Sequence, residues 1–420
     1  MEFSSESYSA LVQSLFERHQ SVQSAGFTSG AYKPGLGNML GFARALGDPQ
    51  RRLRTVHVAG TNGKGSVCSM LAAALAATGL KVGLYTSPHL VDFRERAKIV
   101  TSGGFEMISE REVWDFLTCH DTDLEGLSFF EITTGLAFWW FDRSGVDLAV
   151  IETGLGGRLD STNIITPELS VITSIGLDHC AILGDTRAAI AAEKAGIFKP
   201  GVPALVASFD DETAPVFEKT ASGVHCPLFF ADSLSDEPDA SHIDLRGPCQ
   251  GVNLRTVLCA LELLGVEADM DAISRAAALT GFRGRWERLS DDPETICDIG
   301  HNPAALQCNF ERLRESGRPL VIVYGVMADK DLDGIAPLMP SGAEYILVAP
   351  ATVRALRVED LRARLASLRP DLRTRAAGSV AEGVETAFRT ARSVPGSIIY
   401  IGGSTFVVSE AIVHLESEHL

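Results

Sequence analysis

The 420-residue sequence predicts an α/β protein, a mostly parallel sheet covered on both faces followed by a second, smaller α/β series. Three observations carry this expectation. A β-branched run at residues 56–59 enters a glycine-rich turn and then a stretch with helical apolar spacing. Short apolar runs recur downstream with helical segments between them. The alternation then restarts after a short, basic, glycine-punctuated stretch at residues 281–285, a plausible interdomain crossing.

Taken in order, residues 1–50 read as helical and amphipathic, with Leu11, Leu15 and Phe16 on one face. A Gly/Pro-rich loop follows over 26–37, and then a helix near 39–46. Residues 56–59 read as strand. Residues 66–77 read as an amphipathic helix, because Val67, Met70, Leu71, Ala74 and Leu75 recur at i, i+3, i+4, i+7 and i+8. Residues 82–86 are strand again, which completes a βαβ unit. Runs at 147–152 and 169–175 add two strands, residues 203–246 read as irregular and peripheral, and a helix is expected over 254–264. The second series has expected strands at 295–298, 320–324, 345–348 and 397–401. Two domains follow, 1–284 and 285–420.

Composition narrows the function. With 45% hydrophobic and 22% charged residues, the chain can bury full-sized cores. A net charge of −17 disfavours nucleic acid and anionic membrane as partners, since both need clustered Lys and Arg. The eight cysteines form no C-x-x-C pair, and no secretory pattern opens the chain. Reduced thiols in a cytoplasmic protein are expected. The apolar stretch at 129–141 carries Glu131 and is too short to span a bilayer.

The sharpest motif is His57-Val58-Ala59-Gly60-Thr61-Asn62-Gly63-Lys64-Gly65-Ser66. Its glycines let backbone N–H groups face phosphate oxygens, the following helix adds the positive end of its dipole, and Lys64 adds a full charge. A nucleoside triphosphate is the expected ligand. The match to G-x-x-x-x-G-K-[ST] is imperfect, because Val58 replaces the first glycine and Gly65 separates Lys64 from Ser66.

In open α/β sheets ligands bind beyond the carboxyl ends of the strands. Here the exits read Thr86-Ser87-Pro88-His89, Glu152-Thr153-Gly154-Leu155-Gly156-Gly157-Arg158 and Gly176-Leu177-Asp178-His179. One crevice would then collect Lys64, Ser66, Ser87, Glu152 and His179. A hydroxyl, a carboxylate and an imidazole beside bound phosphates suit magnesium, so Ser87, Glu152 and His179 are the candidate ligands. Each has a plainer alternative: a turn residue before Pro88, a surface carboxylate, a structural histidine. In the second series Asp298, His301 and Asn302-Pro303 stand at a strand exit, with helix capping as the alternative for Asp298. No G-x-G-x-x-G turn occurs there, which disfavours a dinucleotide site.

These motifs, together with Phe129-Phe130-Glu131, Leu159-Asp160-Ser161-Thr162-Asn163, Glu193-Lys194-Ala195-Gly196-Ile197 and Asp329-Lys330-Asp331, resemble the folylpolyglutamate synthase and dihydrofolate synthase family, relatives of the Mur ligases. The resemblance runs from about residue 35 to residue 404. It implies a P-loop Mur-ligase-like ATPase domain joined to a Rossmann-like C-terminal domain. It also implies a cytoplasmic, monomeric ATP- and Mg2+-dependent ligase that joins L-glutamate through an acyl phosphate to dihydropteroate, to the γ-carboxylate of a reduced folate, or to both, and the stretch 35–50 resembles that of members that do both.

Carried over by position, the family pattern gives Gly60 to Ser66 to the phosphates, Asn253, Arg285 and Asp298 to the nucleotide, and His301 to the neighbourhood of the reacting phosphate. Lys194 becomes a carbamylated lysine supporting the metal, its alternative being an exposed helix lysine. Asp160 joins Lys64, Lys194 and His301 as a catalytic candidate, and the expected pterin contacts are the loop before Met39, Phe129 and Phe130 for stacking, and Arg158 or Asp160. The chain departs from the family pattern at Phe282-Arg283, where Trp-Pro is usual, at Cys249 before Gln250, and at Arg94, where Asn is usual. Two rival readings are a Mur-type cell-wall ligase and a nucleotide-binding switch without ligase activity. The first is opposed by Gly65-Ser66 and by the mere 56 residues before His57. The second leaves the polar strand exits without a purpose.

Overall fold

A computed structural model of the chain describes residues 3–19, 35–247 and 249–417. The expected loop at 26–37 therefore lies outside the described residues, except for its last three. The chain forms two compact units, Met1–Asp244 with Cys249–Phe282, and Leu245–Pro248 with Arg283–Leu420.

Among the described residues the first unit holds an eight-stranded sheet. Its strands are β1 (Thr55–Ala59), β2 (Val82–Tyr85), β3 (Ala97–Thr101), β4 (Gly104–Met107), β5 (Leu148–Glu152), β6 (Leu169–Ile172), β7 (Ala204–Val206) and β8 (Leu228–Phe230). They lie in the order β4-β3-β2-β5-β1-β6-β7-β8. Pairing is parallel from β2 to β8, whereas β3 and β4 run antiparallel at one edge. All five residues of β1 are buried, as expected of a parallel strand covered on both faces.

The helix Lys64–Ala77 follows β1 and is buried nearly all round, not along one stripe. Helices Gln250–Leu263, Met270–Ser274 and Ala276–Thr280 pack against it, so the face expected to meet water meets protein instead. Residues 203–246 also differ from expectation, since they supply β7, β8 and the helix Ala214–Val224 between them. Strands of three residues are too short to show a period. The β3–β4 hairpin was hidden for a related reason, since Lys98 interrupts its apolar run.

The second unit holds a six-stranded sheet among its described residues, ordered β13-β12-β11-β14-β10-β9. Its strands are β9 (Glu287–Asp291), β10 (Glu294–Asp298), β11 (Leu320–Tyr324), β12 (Glu344–Leu347), β13 (Arg373–Ala376) and β14 (Ile398–Gly402). All pairs are parallel except β9–β10. The two edge strands escaped the sequence reading because they are charged and half exposed, which is also how an edge avoids pairing with another chain. Asn302 caps the helix Pro303–Glu315 by accepting from the Ala305 N–H at 2.9 Å, and Pro303 occupies its first turn, as its sequence predicts.

Candidate functional site

The order β2-β5-β1-β6 sets four strand exits side by side. Ser87 follows β2, Glu152 ends β5, the glycine loop follows β1, and Thr173 to His179 follow β6. Residues far apart in the chain thereby share the carboxyl end of the sheet.

The loop after β1 is moulded onto the exit of β6. Thr61 donates through its backbone N–H to Ser174 O at 2.7 Å, and its hydroxyl exchanges bonds with Gly176 O and N at 3.1 and 3.0 Å. Thr173 donates to Asn62 O at 2.7 Å. A Cβ on Gly60, at φ +154°, would lie 1.8 Å from Thr173 Oγ1, and one on Gly63, at φ +89°, would lie 2.4 Å from Asn253 Oδ1. Glycine is required at both positions by space and by backbone conformation. Gly63 gives the helix Lys64–Ala77 no side-chain cap, so the first-turn N–H groups, which have no intrahelical acceptor, face the loop's concavity. Such a cradle fits a phosphate chain.

Two lysines converge on one carbonyl. Lys64 Nζ donates to Gly60 O at 3.0 Å and to Thr61 O at 3.2 Å, and Lys194 Nζ donates to the same Gly60 O at 2.8 Å. Lys194 is only 4% exposed, which removes the alternative of a solvent-facing helix lysine. Burial, with the Lys64 charge beside it, pushes the Lys194 ammonium down to about 7.

Glu152 is buried, and its Oε2 accepts from the Ser87 N–H at 3.0 Å, so these two candidates meet. His179 stands at the β6 exit in a left-handed conformation, φ 54°, with its N–H donating to Asp178 Oδ1 at 2.9 Å. Among the described residues no three His, Cys, Asp or Glu side chains form a metal-holding group. A hydroxyl, a carboxylate and an imidazole are donors of the kind a magnesium ion could take alongside water and phosphate oxygens.

Asp160 holds the loop after β5. Its Oδ2 accepts from the Gly154 and Leu155 N–H groups at 2.9 and 2.8 Å, and its Oδ1 accepts from the Thr162 N–H and hydroxyl at 3.0 and 2.5 Å. Thr162 is tied in turn to His57 Nε2 at 2.8 Å, a buried imidazole whose desolvation drives it down to about 3 and so keeps it neutral. The glycines of this loop serve packing. A Cβ on Gly157 would meet the carbonyl oxygens of Glu193 and Lys194 at 2.8 Å, and Phe130 lies against Gly154. Phe129, expected to stack on a pterin, instead stacks on Phe16 with centroids 4.8 Å apart and carries the Arg96 guanidinium 5.0 Å from its ring centre. It is a core residue.

Sequence reasoning missed Gln250, which donates to Ser66 Oγ at 3.3 Å and accepts from Asn253 Nδ2 at 2.9 Å. This pair sets Asn253 beside the loop. It also missed Thr173 and Ser174, whose only signal was two small hydroxyls directly after an apolar strand.

In the second unit, Asp298 is buried, accepting from the Gly300 N–H and Asn309 Nδ2 through Oδ1 at 2.7 and 2.8 Å, and from the Trp286 N–H through Oδ2 at 3.0 Å. It joins the start of β9 to the turn after β10. His301 Nδ1 lies 3.0 Å from Ile299 O, and Arg285 lies two residues after Arg283, where the unit resumes.

The family model described as "Mur ligase, glutamate ligase domain" matches residues 284–405. A Haemophilus influenzae protein named dihydrofolate synthase/folylpolyglutamate synthase is 31% identical over 388 residues, covering 84% of this chain and 87% of that protein. A Haloferax volcanii protein named probable bifunctional folylpolyglutamate synthase/dihydropteroate synthase is 33% identical over 408 residues. The chain spans about half of it, 48%, with 90% of the chain covered. Among solved structures, a bifunctional folylpolyglutamate synthase/dihydrofolate synthase from Yersinia pestis, complexed with AMPPNP and Mn ion, superposes with a TM-score of 0.80. It is 28% identical, with 98% of each chain covered.

Proposed function

The chain belongs to the folylpolyglutamate synthase/dihydrofolate synthase family of ATP-dependent ligases, and from that premise we propose that it joins L-glutamate both to dihydropteroate and to the γ-carboxylate of reduced folates. Membership in this family sets aside the cell-wall ligase and the switch without ligase activity. The observation that carries the reading is the convergence of Lys64 and Lys194 on Gly60 O beside the Glu152–Ser87 pair.

A carboxylate at neutral pH is a poor electrophile. Its oxygen attacks the γ-phosphorus of ATP, ADP departs, and an acyl phosphate results. The deprotonated amine of glutamate then attacks the acyl carbon, and inorganic phosphate leaves. Both steps bring anions together. The first-turn amides and Lys64 stabilise the transferring group by being fixed before it arrives, so no reorganisation is needed. Ser87, Glu152 and His179 would hold magnesium, which supplies Lewis-acid neutralisation of the phosphate oxygens. Asp160 acts through the loop it anchors. Arg285, Asp298 and His301, all in the C-terminal unit, match positions that the family pattern gives to the nucleotide and the reacting phosphate. A cytoplasmic monomer is the expected state, and among the described residues no helix is long and apolar enough to cross a membrane.

Lys194 is assigned the carbamate role. Its neutral nitrogen would attack carbon dioxide and lose a proton, which would leave an anionic carbamate where a buried ammonium otherwise stands. The titration has a measurable consequence. Below about 7 the folded state bears the cost of a buried ammonium, whereas between about 7 and ~10.5 the unfolded chain holds a proton that the folded chain has released. In bicarbonate-free buffer, stability of the wild type relative to Lys194→Met should therefore rise with pH across that window. Urea unfolding near pH 6.5 and near pH 9 measures it. An unchanged difference would remove the depressed lysine.

The activity itself is tested with ATP, magnesium and glutamate, supplied with dihydropteroate in one reaction and a reduced folate in another, followed by product mass. One added glutamate on each acceptor is expected. A product from one acceptor alone makes the enzyme monofunctional. No adduct from either, under conditions where ATP still binds, overturns the ligase reading.

A further inference from the structure

Gly65, the residue that separates Lys64 from the hydroxyl of Ser66, has a structural cause. A Cβ built there would lie 2.5 Å from Phe282 Cζ and 2.8 Å from its Cε2. The Phe282 ring thus fills the space over the second residue of the helix Lys64–Ala77. Phe282 is also the last residue of the N-terminal unit, since the C-terminal unit resumes at Arg283. The start of the crossing therefore rests on the phosphate loop.

The residues just before Phe282 are gripped by the antiparallel edge of the sheet. From β3, Lys98 Nζ donates to the carbonyl oxygens of Thr280 and Gly281, both at 2.9 Å, and Lys98 is 2% exposed. From β4, the Phe105 ring occupies the place of a side chain on Gly281, with Cζ 2.2 Å from a Cβ built there. Gly281 adopts φ +58°, which turns the chain out of the helix Ala276–Thr280, and the Phe282 N–H donates to Ala277 O at 3.1 Å. With the backbone pinned on both sides, the ring cannot retreat from Gly65 without breaking these contacts. Packed contacts of this kind transmit displacement instead of absorbing it.

We propose that Phe282 is a positioning residue that couples the phosphate-binding first turn to the segment leading into the C-terminal unit. The proposal rests on the reading of residues 60–66 as the triphosphate cradle. The N–H groups of Gly65 and Ser66 belong to the turn that meets phosphate, so occupancy of the cradle and the seating of Phe282 bias one another. Linkage makes the effect reciprocal: whatever phosphate binding does to the seat, loosening the seat does to nucleotide affinity by the same factor.

The test uses the full chain with ADP as the probe. ADP affinity is measured by titration calorimetry, KM for ATP and kcat by steady-state assay, and tryptic cleavage after Arg283 and Arg285 with and without ADP. In the wild type, ADP is expected to slow cleavage at these two sites. In Phe282→Ala, ADP affinity should fall about tenfold, KM for ATP should rise more than kcat falls, and the protection by ADP should be largely lost. Phe282→Leu, which keeps most of the bulk, should lie between. Should Phe282→Ala not fold, Lys98→Met loosens the same seat from beneath and should reproduce the loss of protection. Wild-type ADP affinity and full protection in a folded Phe282→Ala or Lys98→Met variant overturn the coupling. A wild type that fails to bind ADP overturns the cradle reading, and the coupling with it.

Discussion

Lys64→Met should reduce kcat/KM for ATP by roughly 10²–10³-fold while leaving the fold intact. Lys64 Nζ already lies within hydrogen-bonding distance of Gly60 O and Thr61 O, so the charge is held at the mouth of the loop before any phosphate arrives. Methionine keeps the length of the side chain but offers neither a donor nor a charge. Stability should change little, because Lys194 Nζ still donates to Gly60 O. Circular dichroism and thermal unfolding check the fold, and steady-state kinetics check the loss. A folded variant that kept more than a tenth of wild-type kcat/KM would assign the phosphate charge elsewhere, with Lys194 the nearest candidate.

Glu152→Gln should lower turnover by about a hundredfold, with partial recovery as magnesium is raised. The substitution is nearly isosteric. The amide oxygen can still accept from the Ser87 N–H, which Glu152 Oε2 engages at 3.0 Å, so the geometry of the β2 and β5 exits should persist. What disappears is a negative charge at a buried position next to the phosphate loop. A metal role predicts that the apparent magnesium requirement rises along with the fall in kcat. Near-normal turnover at low magnesium would refute Glu152 as a ligand, and an equal loss at every magnesium concentration would recast it as a residue that positions Ser87.

Much of the candidate site is legible in the sequence because its signals are local. Gly60 and Gly63 had to be glycine for backbone reasons, and the structure adds the obstructing atoms, Thr173 Oγ1 and Asn253 Oδ1. The polar residues at strand exits were also visible, since an apolar run that ends in Glu or in Ser-Pro changes character within one residue. Asn302-Pro303 announced a helix start and made one. In contrast, β7 and β8 are three residues long, below the length at which alternation is detectable, and β13 is charged and half exposed. Phe129 resembled a stacking platform until its partners were known, because an aromatic looks the same in sequence whether its face meets a ligand or Phe16.

By itself, then, the sequence determined an α/β chain with a glycine-rich loop after its first strand, polar strand exits, and the motifs of the folylpolyglutamate synthase/dihydrofolate synthase family. These are properties of period, turn chemistry and residue type within a few positions. Only the tertiary structure decided that β5 lies between β1 and β2, which brings Glu152 to Ser87. Likewise, it alone set Lys194 on the same carbonyl as Lys64, and made Gly65 the seat of Phe282. The reason is physical. Burial and proximity between residues scores to hundreds of positions apart arise from the packing of whole elements, and no local pattern records which side chains that packing will press together.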